Sequence, residues 1–238
     1  MYENFLHVQP RHRQRGLPCP YQAVMKTRDM RAALTAAGLE EIRGVIERAG
    51  VMAMPTETYY ALGASPFQEA AVERVVRLKG RPEGMPILVL VAEQSDVGRF
   101  VIEIPPIAEL LMNRFWPGPL TLVLPAQSSL PTLLTAGSGT VGIRQPSHAG
   151  LRMLLGTVGP LTGTSANRSG SPPAQSAKAV QDHLGEAVDI IVDGGRTEGG
   201  LPSTVVSVMG QVSVLREGRI SRQAIAFALK DRGAEWGG

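Results

Sequence analysis

The sequence has few of the residues that form disulfides, metal centres or aromatic surfaces. It contains one cysteine, Cys19, four histidines and 5% aromatic residues among its 238 residues. One cysteine cannot form an intrachain disulfide, and the histidines at positions 7, 12, 148 and 183 lack the spacing of metal ligands, so no metal centre is predicted. We expect His148 to be a surface or helix-capping residue. The low aromatic content disfavours a stacking platform for single-stranded nucleic acid.

Long hydrophobic runs are also missing. No apolar stretch reaches the roughly 18 residues of a membrane-spanning helix, and no apolar signal core follows the basic residues near the start. A chain with one cysteine and no predicted span is typical of the reducing cytoplasm. We therefore expect a cytoplasmic protein with no membrane partner.

The common nucleotide-binding and nucleophile motifs are missing as well. The sequence has no G-x-x-x-x-G-K-[ST], so any nucleotide would be bound without a P-loop, and no G-x-G-x-x-G follows the first predicted strand. The segment TSANRSG does not match G-x-S-x-G, and no His–Asp partnership for a nucleophilic serine is visible. A P-loop enzyme, a dinucleotide-binding fold and a serine hydrolase are therefore disfavoured.

Composition and charge are those of an ordinary globular protein with a basic start. Hydrophobic residues make up 43% and charged residues 19%, with a net charge of +3. Six basic residues lie within the first 31 positions: Arg11, Arg13, Arg15, Lys26, Arg28 and Arg31. We predict a basic extension over residues 1–25 and one catalytic domain over residues 26–238. The extension is interpreted as a solvated tail, with an electrostatic arm for nucleic acid as the alternative.

Short β-branched runs alternate with amphipathic helices along the chain. Residues 32–50 are predicted to form a helix, and residues 69–80 a second helix that ends at Gly80. The apolar segment 86–92 is predicted to be a central, covered strand. A hairpin is expected to turn at Met209-Gly210. This pattern predicts the α/β class, with a twisted, open mixed sheet in a single domain.

The segment RLKGRP places two cations where the second predicted helix ends. Lys79 and Arg81 lie on either side of Gly80. Their attraction to the helix C-terminus is one explanation. The other is that both cations converge on a polyanion such as a triphosphate, which an arginine fork and a lysine point charge suit. The motif alone does not decide between them.

Further polar residues cluster where other predicted strands begin or end. They are Thr56 and Thr58, Arg144, the group Gly163, Thr164, Ser165, Asn167 and Ser169, and the pair Ser203 and Thr204. In open α/β sheets, ligands bind beyond strand ends. Cations for phosphates, an arginine for a carboxylate and hydroxyls for an amine or alcohol would all be used by a small amino acid beside a nucleoside triphosphate.

The order of six segments resembles that of the YrdC-like family of threonylcarbamoyl-AMP synthases. The segments are PTETYYALG, VVRLKGRPEGMPILVLV, FWPGPLTLVLP, VGIRQPSH, TSANRSGSP and PSTVVSV with VLREG. The resemblance extends from about residue 30 to residue 222. It implies a twisted open α/β sheet, the YrdC-like fold, around a deep, positively charged cavity.

The resemblance also implies an activity and partners. Members of the family are nucleotidyltransferases that convert L-threonine, bicarbonate or CO2, and ATP into L-threonylcarbamoyl-adenylate and pyrophosphate, using Mg2+. The product serves the N6-threonylcarbamoyl modification of adenosine 37 in transfer RNA. A threonylcarbamoyl transferase complex performs the later step.

Carried over position by position, the resemblance implies the following site. The catalytic residues are Lys79, Arg81, Ser165 and Asn167. The ATP-binding residues are these four with Thr140 and Arg216. The threonine-binding residues are Thr56, Thr58, Arg144, Gly163 and Ser203. Leu90 stands where many members have a histidine that can contact threonine, and Glu57 is expected only to satisfy nearby backbone donors.

Three alternatives remain open from the sequence. One is an RNA-binding protein of the same fold that binds transfer RNA or double-stranded RNA without this activity. Another is a sister branch of the family whose activity is unsettled, although that branch tends to lack the K-x-R and S-x-N pairs present here. The third is a carbamoyltransferase domain for hydrogenase maturation, which is normally part of a much longer chain.

Overall fold

A computed structural model describes residues 25–80 and 84–230 of the chain. Its strands are β1 (Lys26–Asp29), β2 (Met52–Pro55), β3 (Tyr60–Gly63), β4 (Val89–Leu90), β5 (Leu120–Pro125), β6 (Thr140–Arg144), β7 (Leu161–Thr162), β8 (Thr164–Ser165), β9 (Ile190–Asp193), β10 (Thr204–Ser207) and β11 (Ser213–Arg216). Its α-helices are α1 (Met30–Ala33), α2 (Ala36–Glu47), α3 (Glu69–Lys79), α4 (Pro106–Phe115), α5 (Thr132–Thr135), α6 (Ala149–Val158), α7 (Ala177–Leu184) and α8 (Arg222–Lys230). Arg81 and all but one residue of the predicted basic extension lie outside the described residues.

The strands confirm the mixed α/β class and divide between two sheets. One sheet has the order β1-β9-β2-β3-β8 and the other β11-β10-β5-β6-β4-β7, each with parallel and antiparallel neighbours. The sequence pattern predicts one sheet. The division arises at Gly163, because β7 before it pairs with β4 and β8 after it pairs with β3. The chain thus crosses between sheets within one residue.

The helices follow the sequence signals, with one shift. The helix predicted over residues 32–50 is interrupted, because Oγ1 of Thr35 accepts a hydrogen bond from the backbone N–H of Gly38 at 3.1 Å and so caps the start of α2. Helix α3 ends as predicted at Gly80, which adopts the left-handed conformation with φ of 55°. His148 is the predicted capping residue, and its Nδ1 accepts from Leu151 N–H at 3.1 Å at the start of α6.

The residues in and next to strand β4 alternate between the two faces of the sheet. Ile87, Val89 and Val91 are fully buried in the main hydrophobic core, as expected for a covered strand. Leu88 and Leu90 point to the opposite face, where they contribute to a second apolar cluster. The hairpin of β10 and β11 turns at the predicted position.

Among residues 25–80 and 84–230, no helix combines the length and the apolar character that a membrane span needs.

Candidate active site

One face of the six-stranded sheet forms the floor of a cavity of about 780 Å³. Thr121 and Val123 of β5 and Gly142 and Arg144 of β6 face this cavity because alternate residues of a strand share a face. Leu88, which precedes β4, continues the same row beside Gly142. The other walls come from the connection between β2 and β3, the end of α3, the segment after β8, and the loop before β10.

Ten of the eleven predicted site residues line this cavity. They are Thr56, Thr58, Lys79, Thr140, Arg144, Gly163, Ser165, Asn167, Ser203 and Arg216. The eleventh, Arg81, lies outside the described residues. Their individual roles toward ATP and threonine remain predictions.

Lys79 is held at the end of α3 by oxygen atoms of the loop that follows β8. Its Nζ donates to the Ser165 carbonyl oxygen at 2.7 Å, to Asn167 Oδ1 at 3.0 Å and to Ser165 Oγ at 3.2 Å. The Ser169 N–H in turn donates to the Lys79 carbonyl oxygen at 2.7 Å. Because Lys79 is only 5% exposed, these contacts fix a nearly buried ammonium group at the cavity wall.

Asn167 is itself fixed by the loop that contains it. Its Nδ2 donates to the carbonyl oxygens of Arg168 at 3.0 Å and Ser171 at 2.5 Å. These bonds assign the amide oxygen to Lys79. The S-x-N element therefore orients the lysine, and the lysine orders the loop.

Arg216 and Ser203 form a second polar cluster on the other side of the cavity. Arg216 Nη2 donates to the Ser203 carbonyl oxygen at 2.9 Å and contacts Ser203 Oγ at 3.3 Å. Ser203 Oγ also shares a hydrogen bond of 3.0 Å with Thr121 Oγ1 on the floor. This chain of contacts links the hairpin of β10 and β11 to strand β5.

Thr56 and Thr58 form a tight turn between β2 and β3. Thr56 Oγ1 accepts from the backbone N–H of Thr58 at 3.0 Å and donates to the carbonyl oxygen of Tyr59 at 2.7 Å. The two threonine hydroxyls lie 2.9 Å apart. Thr56 is thus mainly committed to the turn, whereas the Thr58 hydroxyl faces the cavity between Thr56 and Arg144, whose Nη1 lies 3.5 Å from it.

Glu57 and Arg144 form an ion pair that the sequence did not predict. Glu57 was expected to satisfy backbone donors, but its Oε1 lies 2.5 Å from Arg144 Nη2. Arg144 Nε donates to the Gly118 carbonyl oxygen at 3.2 Å. Within the described residues, the buried Oε2 of Glu57 has no hydrogen-bond partner. The sequence could have indicated a role for Glu57 in the site only through its position between the two predicted site residues Thr56 and Thr58.

The charged side chains that line the cavity within the described residues are all basic. Its described lining contains three cations, Lys79, Arg144 and Arg216, and no carboxylate. Burial, and next the charge of Arg144, lower the pKa of Arg216 below its usual value. Two guanidinium groups close enough to affect each other favour an anion between them. The site can therefore hold a carboxylate and phosphates at once.

Leu90 stands where many members of the family have a histidine that can contact threonine, but its side chain does not line the cavity. It is 1% exposed and packs beside Gly163, where its Cγ lies 2.5 Å from the place of a Cβ at that residue. The side chain that faces the cavity is that of Leu88, two residues earlier. Leu88 and Thr121 were not predicted from the sequence, although the period of two along each strand could have indicated them.

A family model for Sua5, YciO and YrdC proteins, described as "Telomere recombination", matches residues 44–218. The chain belongs to this family. The resemblance stated from the sequence motifs is thereby confirmed. The matched range contains all eleven predicted site residues, that is, the ten that line the cavity and Arg81.

Two curated relatives carry the name threonylcarbamoyl-AMP synthase. The protein from Pyrococcus abyssi is 40% identical over 166 residues, which cover 69% of this chain and 49% of that protein. The protein from Bacillus subtilis is 39% identical over 204 residues, covering 84% of this chain and 57% of that protein. The matched part of this chain thus spans about half the length of the first relative.

A solved structure of the family has the same fold. The crystal structure of P. abyssi Sua5 complexed with L-threonine superimposes with a TM-score of 0.80 at 34% identity, and the match covers 90% of this chain and 62% of that chain. The family's YrdC-like fold is therefore confirmed for this chain.

Proposed function

We propose that this protein synthesises L-threonylcarbamoyl-adenylate from L-threonine, bicarbonate or CO2, and ATP, with release of pyrophosphate. The observation that carries the proposal is the convergence of Lys79, Arg144 and Arg216 in one cavity whose described lining has no carboxylate. Such a site suits two anionic substrates side by side. Relatives named threonylcarbamoyl-AMP synthase and a related structure complexed with L-threonine support the choice of substrates.

Arg144 is assigned to the carboxylate of L-threonine. Its guanidinium group is nearly buried and is held from behind by Glu57 and the Gly118 carbonyl oxygen, so its orientation is set before a ligand binds. The Thr58 hydroxyl lies beside it and can contact the same ligand. A carboxylate bound there would have its amine directed into the remaining volume of the cavity.

Lys79 and Arg81 are assigned to the phosphates of ATP, with Ser165 and Asn167 positioning the lysine. Oxygen atoms of Ser165 and Asn167 hold the Lys79 ammonium group at one wall of the cavity. Thr140 and Arg216 complete the proposed ATP site. Arg216 is linked through Ser203 to the floor, so the ATP and threonine regions share hydrogen bonds.

The proposed reaction has two steps. The neutral amine of L-threonine first attacks the carbon of bicarbonate or CO2 to give a carbamate, with loss of water in the case of bicarbonate and of a proton to solvent in the case of CO2. A carbamate oxygen then attacks the α-phosphorus of ATP, and the bond from that phosphorus to the leaving pyrophosphate breaks. Neither step needs an enzyme nucleophile. The side chains contribute by holding two anions together and by offsetting the charge on pyrophosphate.

Mg2+ is proposed to enter with ATP. Within residues 25–80 and 84–230, no group of three or more metal-ligating side chains is placed to hold a metal ion. A magnesium ion that is bound through phosphate oxygens and water fits such a lining, because Mg2+ commonly keeps several waters beside nucleotide phosphates. When bound, it would neutralise phosphate charge.

The product is proposed to serve the N6-threonylcarbamoyl modification of adenosine 37 in cytoplasmic transfer RNA, through a separate threonylcarbamoyl transferase complex. A mixed anhydride of a carbamate and AMP is an activated acyl donor, so a second protein that transfers the acyl group must follow. Direct binding of transfer RNA to this chain is a further part of the prediction.

The decisive experiment is product detection by mass spectrometry. The purified chain is incubated with ATP, Mg2+, bicarbonate and L-threonine, and we expect threonylcarbamoyl-adenylate together with pyrophosphate. Omission of threonine or bicarbonate should abolish both. If the alternative of a non-enzymatic RNA-binding protein is correct, no product forms, and RNA affinity falls steeply as salt is raised.

A further inference from the structure

The floor of the cavity changes from polar to apolar within two residues along β5 and β6. At the level of Arg144, the neighbouring side chain on β5 is the polar Thr121. One repeat further along, the row consists of Val123, Gly142, Leu88 and Gly163. We call this row the apolar floor. It carries no polar side chain.

Leu88 is framed by two glycines in this row. A Cβ placed on Gly142 would lie 3.4 Å from Leu88 Cβ, and one placed on Gly163 would lie 2.7 Å from Leu88 Cδ1. The missing side chains on both sides leave the leucine accessible from the cavity. A residue with any side chain at position 163 would collide with Leu88 and Leu90. The glycines therefore expose the Leu88 side chain, which together with Val123 gives the row its aliphatic surface.

The apolar floor lies one strand repeat, about 7 Å, from Arg144. An amino acid whose carboxylate is bound by Arg144 would carry its side chain within reach of this row. A hydroxyl on that side chain has partners in the Oγ atoms of Thr58 and Ser203 on the walls and of Thr121 at the polar end of the floor. A methyl group has its matching surface on the floor.

We infer that Leu88 is a specificity-determining residue that receives the methyl group of the amino-acid substrate and so selects L-threonine over L-serine. The inference rests on the proposed function, because that function places L-threonine in this cavity. The two amino acids differ by one methyl group, and a hydrophobic contact of that size typically changes specificity by about 10- to 200-fold.

The test measures binding and turnover separately. Dissociation constants for L-threonine and L-serine are determined by calorimetry, and product formation with each amino acid is followed by mass spectrometry. We expect the wild-type chain to bind L-threonine at least about 10-fold more tightly than L-serine. In Leu88→Ala, the ratio should fall toward one, mainly through weaker threonine binding, while L-serine binding changes little.

A second variant fills the space instead of emptying it. Gly142→Ala adds a methyl group 3.3 Å from Thr121 Cγ2 and 3.4 Å from Leu88 Cβ, which these side chains can accommodate by small shifts. It should weaken binding of L-threonine more than that of L-serine. This variant keeps the inference testable if Leu88→Ala does not fold.

Leu34→Ala is the matched control. Leu34 is a half-buried leucine that packs against the same apolar cluster as Leu88 but does not line the cavity. Its substitution should leave the threonine-to-serine ratio unchanged. Equal binding of the two amino acids by the wild type, or an unchanged ratio in folded Leu88→Ala or Gly142→Ala, overturns the inference. Selective threonine binding without any product overturns the proposed function instead.

Discussion

The carboxylate of Glu57 lies 2.5 Å from the guanidinium group of Arg144, and both side chains are largely buried, with 13% and 5% of their surface exposed. Glu57 is not part of the cavity lining, whereas Arg144 is. The acid therefore compensates the arginine from behind and leaves part of the guanidinium group available to a ligand. This relationship explains how a fixed positive charge is kept at the floor of the site.

Loss of Glu57 should destabilise the protein. Glu57→Ala leaves Arg144 buried without its counter-ion, and removal of one partner of a buried ion pair commonly costs about 3 kcal/mol or more. We expect a decrease of that size in the free energy of unfolding, measured by urea denaturation. Replacement of both residues, Glu57→Leu with Arg144→Met, should recover much of the loss because no buried charge is left.

The control for this prediction is an exposed ion pair of the same type. Arg77 and Glu73 lie 3.4 Å apart on α3, with 71% and 59% of their side chains exposed. Glu73→Ala should change the free energy of unfolding by less than about 1 kcal/mol. An equally small effect of Glu57→Ala would show that solvent already compensates Arg144.

Turnover should depend on Lys79. Lys79→Ala removes a cation held by three oxygen acceptors, and Lys79→Met does so with less change in volume. Loss of a preorganised charge at a reacting group typically lowers the rate by about 10²-fold or more. We expect at least this decrease in threonine-dependent pyrophosphate release. Arg81→Ala should have a similar effect, because the family resemblance assigns both cations to the phosphates.

Lys178→Ala serves as the control for turnover. Its ammonium group pairs with Asp182 on the surface of α7, with 77% of the side chain exposed. This variant should retain wild-type pyrophosphate release. Normal turnover in folded Lys79→Met would contradict the assignment of Lys79 to the phosphates.

Arg216 should contribute to ATP affinity. Arg216 is an exposed residue as a whole, but its guanidinium group is partly covered. This burial and the charge of Arg144 lower its pKa, so a bound anion should offset the repulsion between the two cations. Charge-assisted hydrogen bonds contribute about 1.5–3 kcal/mol. Arg216→Gln is therefore expected to raise the ATP dissociation constant roughly 10-fold or more by calorimetry. Arg77→Gln, on the exposed face of α3, should leave that constant unchanged, and an equal effect of the two variants would refute the role of Arg216.

His148 should make stability depend on pH. Burial lowers its pKa below the usual 6.5, and the charge of Glu57 opposes this only in part. The unfolded chain therefore binds the proton more readily than the folded chain, and the contribution of neutral His148 to stability is lost as pH falls below about 6.5. Protonation also removes the Nδ1 acceptor that caps α6, an interaction typically worth about 1 kcal/mol.

His148→Asn provides the comparison for the pH effect. Asparagine accepts the capping hydrogen bond and does not titrate. Urea denaturation of both proteins between pH 7.5 and 5.5 should give a smaller decrease in stability for the variant. Parallel curves would mean that another group causes the pH dependence.

Much of the fold could be predicted because its signals are local. The helix stop at Gly80, the cap at His148 and the turn at Met209-Gly210 each depend on residues adjacent in sequence. Two features were not predicted: the competition between two successive helix starts, and the pairing of strands that are far apart in the sequence. Thr35 ended one predicted helix early by capping the next, and Gly163 moved the chain from one sheet to the other, which no periodicity could reveal.

The sequence by itself determined which kinds of residue follow each strand, since period and turn chemistry act over a few positions. These patterns, together with the family resemblance of the motifs, selected ten residues that line one cavity. Only the tertiary structure decided the partners within that cavity. Glu57 meets Arg144 across 87 positions of sequence, and Leu88 rather than Leu90 faces the ligand space. Strand order and register, which local pattern does not encode, set the first contact, and the packing of Leu90 into the second apolar cluster decides between the two leucines, which share one face.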